Sequence, residues 1–186
     1  MATVKVFGRK TRMHDEKNYK NTDALEKVIY YLFRENTKNG EDLIPEISGG
    51  YGVDMSSTRA IIDDMQMIKE IYGKADGRQL RHFSVNLSAD ETEQICDLKG
   101  FAYEICGYYG NEYQTIFAGH RKLEDDRERI HFHVCCNSVS YTTGKMISDK
   151  KGTLKEFKKF VERTIEKYRS SSVEASENGS RVVEAK

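Results

Sequence analysis

His131 and His133 stand two apart in Arg129-Ile-His-Phe-His-Val-Cys-Cys-Asn137, a segment whose alternation and β-forming residues predict a strand. Side chains two apart on a strand share a face. His131, His133, Cys135 and Asn137 therefore line one side, and Phe132, Val134 and Cys136 the other. With His120, three of the chain's five histidines fall between positions 120 and 133. Neutral imidazoles converging on one point suit a divalent transition metal. The bland alternative is a polar outer sheet face that carries histidines by chance. Cys135 shares the face and is a competing ligand.

Beside such a centre a tyrosine gains meaning, because its hydroxyl can serve as a covalent nucleophile and a metal can polarise the phosphoryl oxygen it attacks. Tyr30 and Tyr31 sit in a predicted helix whose apolar stripe is Leu25, Val28, Ile29, Leu32 and Phe33. At a hundred degrees per residue both tyrosines fall off that stripe, on opposite sides. With eleven tyrosines in the chain, either one alone carries little weight.

The elements that must position these residues read as follows. Thr3 to Phe7 is a short strand, followed by a basic loop with Arg9, Lys10 and Arg12. The first helix starts near Thr22 as N-cap and reaches about Glu35. Residues 36–54, with Asn-Gly, Gly-Gly and Pro45, read as a long irregular loop. Ser56 or Ser57 opens a second helix that ends near Gly73. Leu80 to Leu87 alternates as a strand. Ser88-Ala-Asp-Glu91 has the form of a capping box and opens a helix to about Tyr108. Tyr113 to Gly119 is a strand, and Leu123 to Glu128 a charged turn into the histidine strand. Tyr141-Thr-Thr-Gly144-Lys is a turn, and Thr153 caps a last helix with Leu154, Phe157, Val161, Ile165 and Tyr168 inward. From Ser170 the composition predicts a disordered polar tail. This order implies an α+β fold, a central antiparallel sheet flanked by helices, over residues 1–169, with 170–186 as the tail.

Bulk properties narrow the class. The chain has 186 residues, 32% of them charged, and a net charge of zero, so any nucleic-acid contact needs a local basic patch. Two clusters qualify: Arg9, Lys10 and Arg12, and a last helix in which Lys155, Lys158 and Lys159 stand among further basic residues, unless that helix simply shows a solvated face. No apolar run reaches membrane-spanning length. The opening residues lack the apolar stretch, about seven residues or longer, of a secretory signal. Four cysteines without C-x-x-C spacing read as reduced thiols in a cytoplasm.

The pattern resembles the relaxases of plasmid and conjugative-element mobilisation, the MobA/MobL and VirD2-like group of HUH endonucleases, from about Asp23 to Tyr168. His131-Phe-His133-Val-Cys-Cys-Asn137-Ser138 followed by Thr143-Gly144-Lys145 is similar to the family's third motif, with His120 as its upstream histidine. Arg81-His82-Phe-Ser84-Val-Asn86-Leu-Ser88-Ala-Asp90-Glu91 is similar to the second, though Asn86-Leu87 replaces its usual S-F. Ala24 to Leu32, with Thr37-Lys38 beyond, is similar to the first. Lys122 stands where the family has an acidic residue, with Glu124, Asp125 and Asp126 in the turn beyond it.

The resemblance implies a nickase and ligase of single-stranded DNA at an origin of transfer. His120, His131 and His133 would hold Mg²⁺ or Mn²⁺. Tyr31, with Tyr30 as second choice, would form a 5′-phosphotyrosyl intermediate. Asn137 would orient a histidine, or else only cap the strand end. Lys38 and the two basic clusters would contact DNA. Relaxosome accessory proteins and a coupling protein would be partners, and the setting cytoplasmic. Competing expectations are a rolling-circle replication initiator of HUH chemistry, a metal- or DNA-binding module without catalysis, and a metal hydrolase that uses water.

Overall fold

The computed structural model describes residues 2–7, 19–34, 40–148 and 152–183, with side chains to residue 169. Five antiparallel strands form one sheet: β1 (Thr3–Phe7), β2 (Glu41–Tyr51), β3 (Leu80–Asn86), β4 (Tyr113–Glu124) and β5 (Arg127–Ser140). Their order across the sheet is β1-β3-β5-β4-β2, so the histidine strand is central. The helices are α1 (Ala24–Leu32), α2 (Thr58–Ile71), α3 (Ala89–Gln94), α4 (Leu98–Gly110) and α5 (Thr153–Val183). This is the α+β sandwich that the alternating helical and strand periods predict.

The period of two divides the sheet into two faces with separate cores. On one face Phe83, Val85, Phe132, Val134 and Cys136 pack with Phe101, Ile105 and Tyr109 of α4 and with Phe157, Val161 and Ile165 of α5. On the other, Leu80, Ile116, Ala118 and Cys135 pack under Leu25, Val28, Ile29 and Leu32 of α1 and Ile61, Ile62 and Met65 of α2. The histidines belong to this second face. Among the described residues, α1 and α2 cover the half nearer Cys135, and the half nearer Arg129 lines a cleft.

Several local expectations change. The stretch read as an irregular loop is mostly the edge strand β2, which pairs with β4 across an irregularity between Ile44 and Ser48. Pro45 sits in that irregularity, on an edge where a missing N–H costs no ladder bond. Gly49 is there because a Cβ would collide with the Tyr103 hydroxyl of α4; the glycines mark a close approach and not a break. The helix opened by Ser88 has its capping box, but it stops at Gln94, and α4 restarts with Asp97 capping Gly100. α1 is capped at Asp23, one residue past Thr22, without a side-chain cap bond. The long hairpin of β4 and β5 turns in two residues, Asp125 and Asp126, both at positive φ, as a tight primed turn requires. Finally, α5 continues as helix through residues 170–183, where composition predicts no regular structure.

Candidate metal centre and nucleophile

Strand pairing assembles the cluster. His120 on β4 lies directly opposite His131 on β5. His133 follows two residues later on the same face, and Glu41 of β2 pairs with Lys122, two residues beyond His120. One ligand atom from each of Glu41, His120, His131 and His133 lies within 4.8 Å of all the others. The three imidazole centroids are 5.0–5.4 Å apart.

Each side chain is held in place. His120 donates Nε2–H to the carbonyl of Leu32, 2.8 Å away at the end of α1, so its Nδ1 carries the lone pair. His133 Nδ1 lies 2.9 Å from His82 Nε2. Glu41 receives Arg34 Nη2 at 3.2 Å and lies 3.8 Å from His131 Nε2. His120 Nδ1 and His133 Nε2 are buried without a hydrogen-bond partner among the described residues. Buried polar nitrogens ordinarily find partners; two that do not, beside a carboxylate and a third imidazole, fit a divalent cation as donor set. Burial lowers the pKa of His131 to about 4 against the opposing pull of Glu41, and it lowers those of His120 and His133 as well. The imidazoles are therefore neutral at pH 7, the form that ligates.

Tyr31 stands at this cluster and Tyr30 does not. The Tyr31 ring meets His133 edge-on at 5.5 Å. Arg34 stacks on the same ring, its guanidinium carbon 3.9 Å from the centroid, and donates Nη1 to the Tyr31 carbonyl at 2.6 Å. Tyr30 points outward, 49% exposed. A cleft of about 360 Å³ opens over Tyr31, Glu41, His131 and His133, and Lys5, Lys122 and Arg129 are among its other walls.

Asn137 is elsewhere. It lies four residues beyond His133, about 13 Å along the strand, and is fully buried. It donates Nδ2 to the Met65 carbonyl of α2 and to Gln114 Oε1, at 2.9 and 2.8 Å. Neither acceptor is a histidine; the first bond ties α2 to the sheet and the second joins β5 to β4. Cys135 is packed under α1 and α2, where burial pushes its thiol up to about 12. Lys155, Lys158 and Lys159 are exposed on α5, over the opposite face of the sheet from the histidines. Arg9, Lys10, Arg12 and Lys38 lie outside the described residues.

Sequence reasoning missed Glu41, Arg34 and the role of His82. Glu41 falls within the segment read as loop. Its pairing with Lys122 returns a carboxylate to the place where Lys122 departs from the motif, from the neighbouring strand.

Fold and cluster together define an α+β domain with a His/Glu cluster that could hold a metal ion, set in a cleft on one sheet face. The family model of the MobA/VirD2-like relaxase nuclease domain matches residues 31–170, more than half of the 186 residues, and the chain belongs to that family. No curated protein and no solved structure matches it significantly. The domain is thus a nuclease domain of the DNA relaxase type. Among the described residues no helix is long and apolar enough to cross a membrane.

Proposed function

We propose that this domain nicks one strand of DNA at an origin of transfer through Tyr31, for mobilisation of a plasmid or conjugative element. The observation that supports it best is the Tyr31 ring 5.5 Å from His133 at the mouth of the cleft, with Tyr30 turned to solvent. The Tyr31 hydroxyl attacks phosphorus, the P–O3′ bond breaks, and the chain is left joined to DNA as a 5′-phosphotyrosyl ester. The phenol gives up a proton and the departing 3′-oxygen gains one. One ester replaces another, so the reverse attack by a 3′-hydroxyl rejoins a strand.

Mg²⁺ or Mn²⁺, held by His120, His131, His133 and Glu41, would supply charge neutralisation at a non-bridging phosphate oxygen. The chain's own residues orient the reaction. Arg34 grips Tyr31 at both ring and backbone carbonyl, which limits where the phenol can swing. Lys5, Lys122 and Arg129 offer the flanking phosphates positive charge along the cleft. Only an unpaired strand can bring its backbone down onto a recessed sheet face. The setting is cytoplasmic, with accessory proteins and a coupling protein delivering the DNA.

Single-stranded oligonucleotides from candidate origins, incubated with Mn²⁺ and run on a denaturing gel, test this. Wild type and Tyr30→Phe should form a protein–DNA adduct, and Tyr31→Phe should form none while still binding DNA. An adduct that survives Tyr31→Phe and is lost in Tyr30→Phe reverses the assignment. Cleavage without any adduct makes water the nucleophile.

A further inference from the structure

His133 ends a chain of side chains that continues away from the cluster. Its Nδ1 meets His82 Nε2 at 2.9 Å, and His82 Nδ1 meets the Tyr19 hydroxyl at 3.1 Å. His82 is 4% exposed, and Phe7 stacks on it with centroids 4.4 Å apart. Tyr19 is held at φ +48, a conformation uncommon for an aromatic residue, and its carbonyl accepts Gln79 N–H at 2.7 Å. The backbone there is fixed in an unfavoured state that brings the hydroxyl to His82.

A bond between two neutral imidazole nitrogens has one proton, which leaves two arrangements. In the first, His133 Nδ1–H donates to His82 Nε2, and His82 Nδ1–H donates to the Tyr19 oxygen. His133 Nε2 then presents its lone pair to the cluster. In the second, Tyr19 donates to His82, His82 donates to His133, and His133 Nε2 carries a hydrogen and cannot ligate. Ligand competence of His133 and the direction of this chain are therefore the same variable. His120 has no such choice, because a backbone carbonyl only accepts.

We propose that His82 and Tyr19 are positioning residues that orient His133 and set it as an Nε2 ligand. The inference rests on the metal reading of the cluster. Partners behind a ligating histidine fix its ring and tautomer, and their removal typically weakens metal binding about 10- to 100-fold.

Calorimetry with Mn²⁺, alongside thermal melting of the metal-free protein, reads this. His82→Phe keeps a ring to stack on Phe7 but cannot accept from His133; Mn²⁺ affinity should fall about 10- to 100-fold. His82→Gln returns a carbonyl acceptor and should recover most of the affinity. Tyr19→Phe should weaken binding by a smaller factor. In the Mg²⁺-loaded wild type, long-range ¹H–¹⁵N spectra should find His82 and His133 protonated at Nδ1 and His120 at Nε2. That measurement decides the matter even where His82→Phe does not fold. Wild-type affinity in a folded His82→Phe, His82→Gln as weak as His82→Phe, or an Nε2-protonated His133 at saturating Mg²⁺ overturns the proposal alone. Absence of Mn²⁺ uptake by the wild type overturns the metal reading and this proposal with it.

Discussion

The two halves of one sheet face differ in what covers them. β5 presents His131 and His133 in the open half and Cys135 and Asn137 in the covered half, all on the same side by the period of two. Under α1 and α2 a polar group is surrounded by structure that satisfies it. Asn137 binds α2 and Gln114, and the nearly fully buried Lys69 donates to the Gln79 carbonyl. Past the end of α1, where Leu32 meets His120, imidazole nitrogens remain without partners among the described residues and the cleft begins. A shared face is thus not a shared environment: strand period gives the face, and helix cover decides which part lines the cleft.

Breaking the open half should have the largest effect on activity and little on folding. His131→Ala with His133→Ala should abolish both Mn²⁺ uptake and the DNA adduct, because half of the four-ligand set disappears. Unchanged stoichiometry by calorimetry in this double variant would end the metal assignment. Breaking the covered half should do the opposite. Asn137→Ala strands the Met65 carbonyl and Gln114 Oε1 in the core, at a cost of about 1–3 kcal/mol, with Mn²⁺ affinity unchanged. Denaturant melts and calorimetry on the same sample separate these outcomes. A weakened Mn²⁺ site in Asn137→Ala would couple the two halves and restore Asn137 to the centre.

The contrast also accounts for what sequence can tell. Parity places His131, His133, Cys135 and Asn137 on one face, and the helical spacing of Leu25, Val28, Ile29 and Leu32 locates α1. Neither says where α1 ends above β5, so by sequence Asn137 stands as close to the chemistry as His131. Glu41 and His82 reach the cluster only through sheet order and register, Glu41 opposite Lys122 and His82 opposite Cys135, and these are long-range choices no local pattern encodes. The Gly-Gly and Pro45 signals that hide β2 are genuine, but they reflect a close approach by Tyr103 and an edge position. The basic residues of α5 are legible as exposed; which sheet face the helix covers is not.

A smaller effect distinguishes the two basic surfaces. Charge reversal at Lys5 and Lys122, in the open cleft, should flatten the dependence of single-strand affinity on salt, by about 0.7 in log–log slope for each phosphate no longer neutralised. The same change at Lys155, Lys158 and Lys159 should leave the slope nearly intact, because α5 lies across the sheet from the cleft. Fluorescence anisotropy over a salt series measures both. A flattened slope only for the α5 set would move the DNA path to the opposite face.

The smallest expected effect lies in the covered half and appears as pH dependence of the metal-free fold. Burial lowers the Lys69 pKa from 10.5 to about 8, with Cys135 opposing the shift. Burial also raises Cys106 and Cys135 from 9.0 to about 12, and Cys136 well above its usual value. From pH 8 upward the unfolded chain keeps the lysine proton that the folded protein is losing. The unfolded state then binds more protons, and stability rises with pH. As pH approaches 9 the three unfolded thiols lose protons that the buried thiols retain, their sum outweighs the single lysine, and stability falls. Thermal melts from pH 7.5 to 10 should therefore pass through a shallow maximum between about pH 8 and 9, of a few degrees at most for a domain this size. Lys69→Met should erase the rising limb and leave the falling one. A wild type without a rising limb would mean that Lys69 is hydrated in solution, and that α2 sits less tightly on this half of the sheet than Asn137 and Gln114 imply.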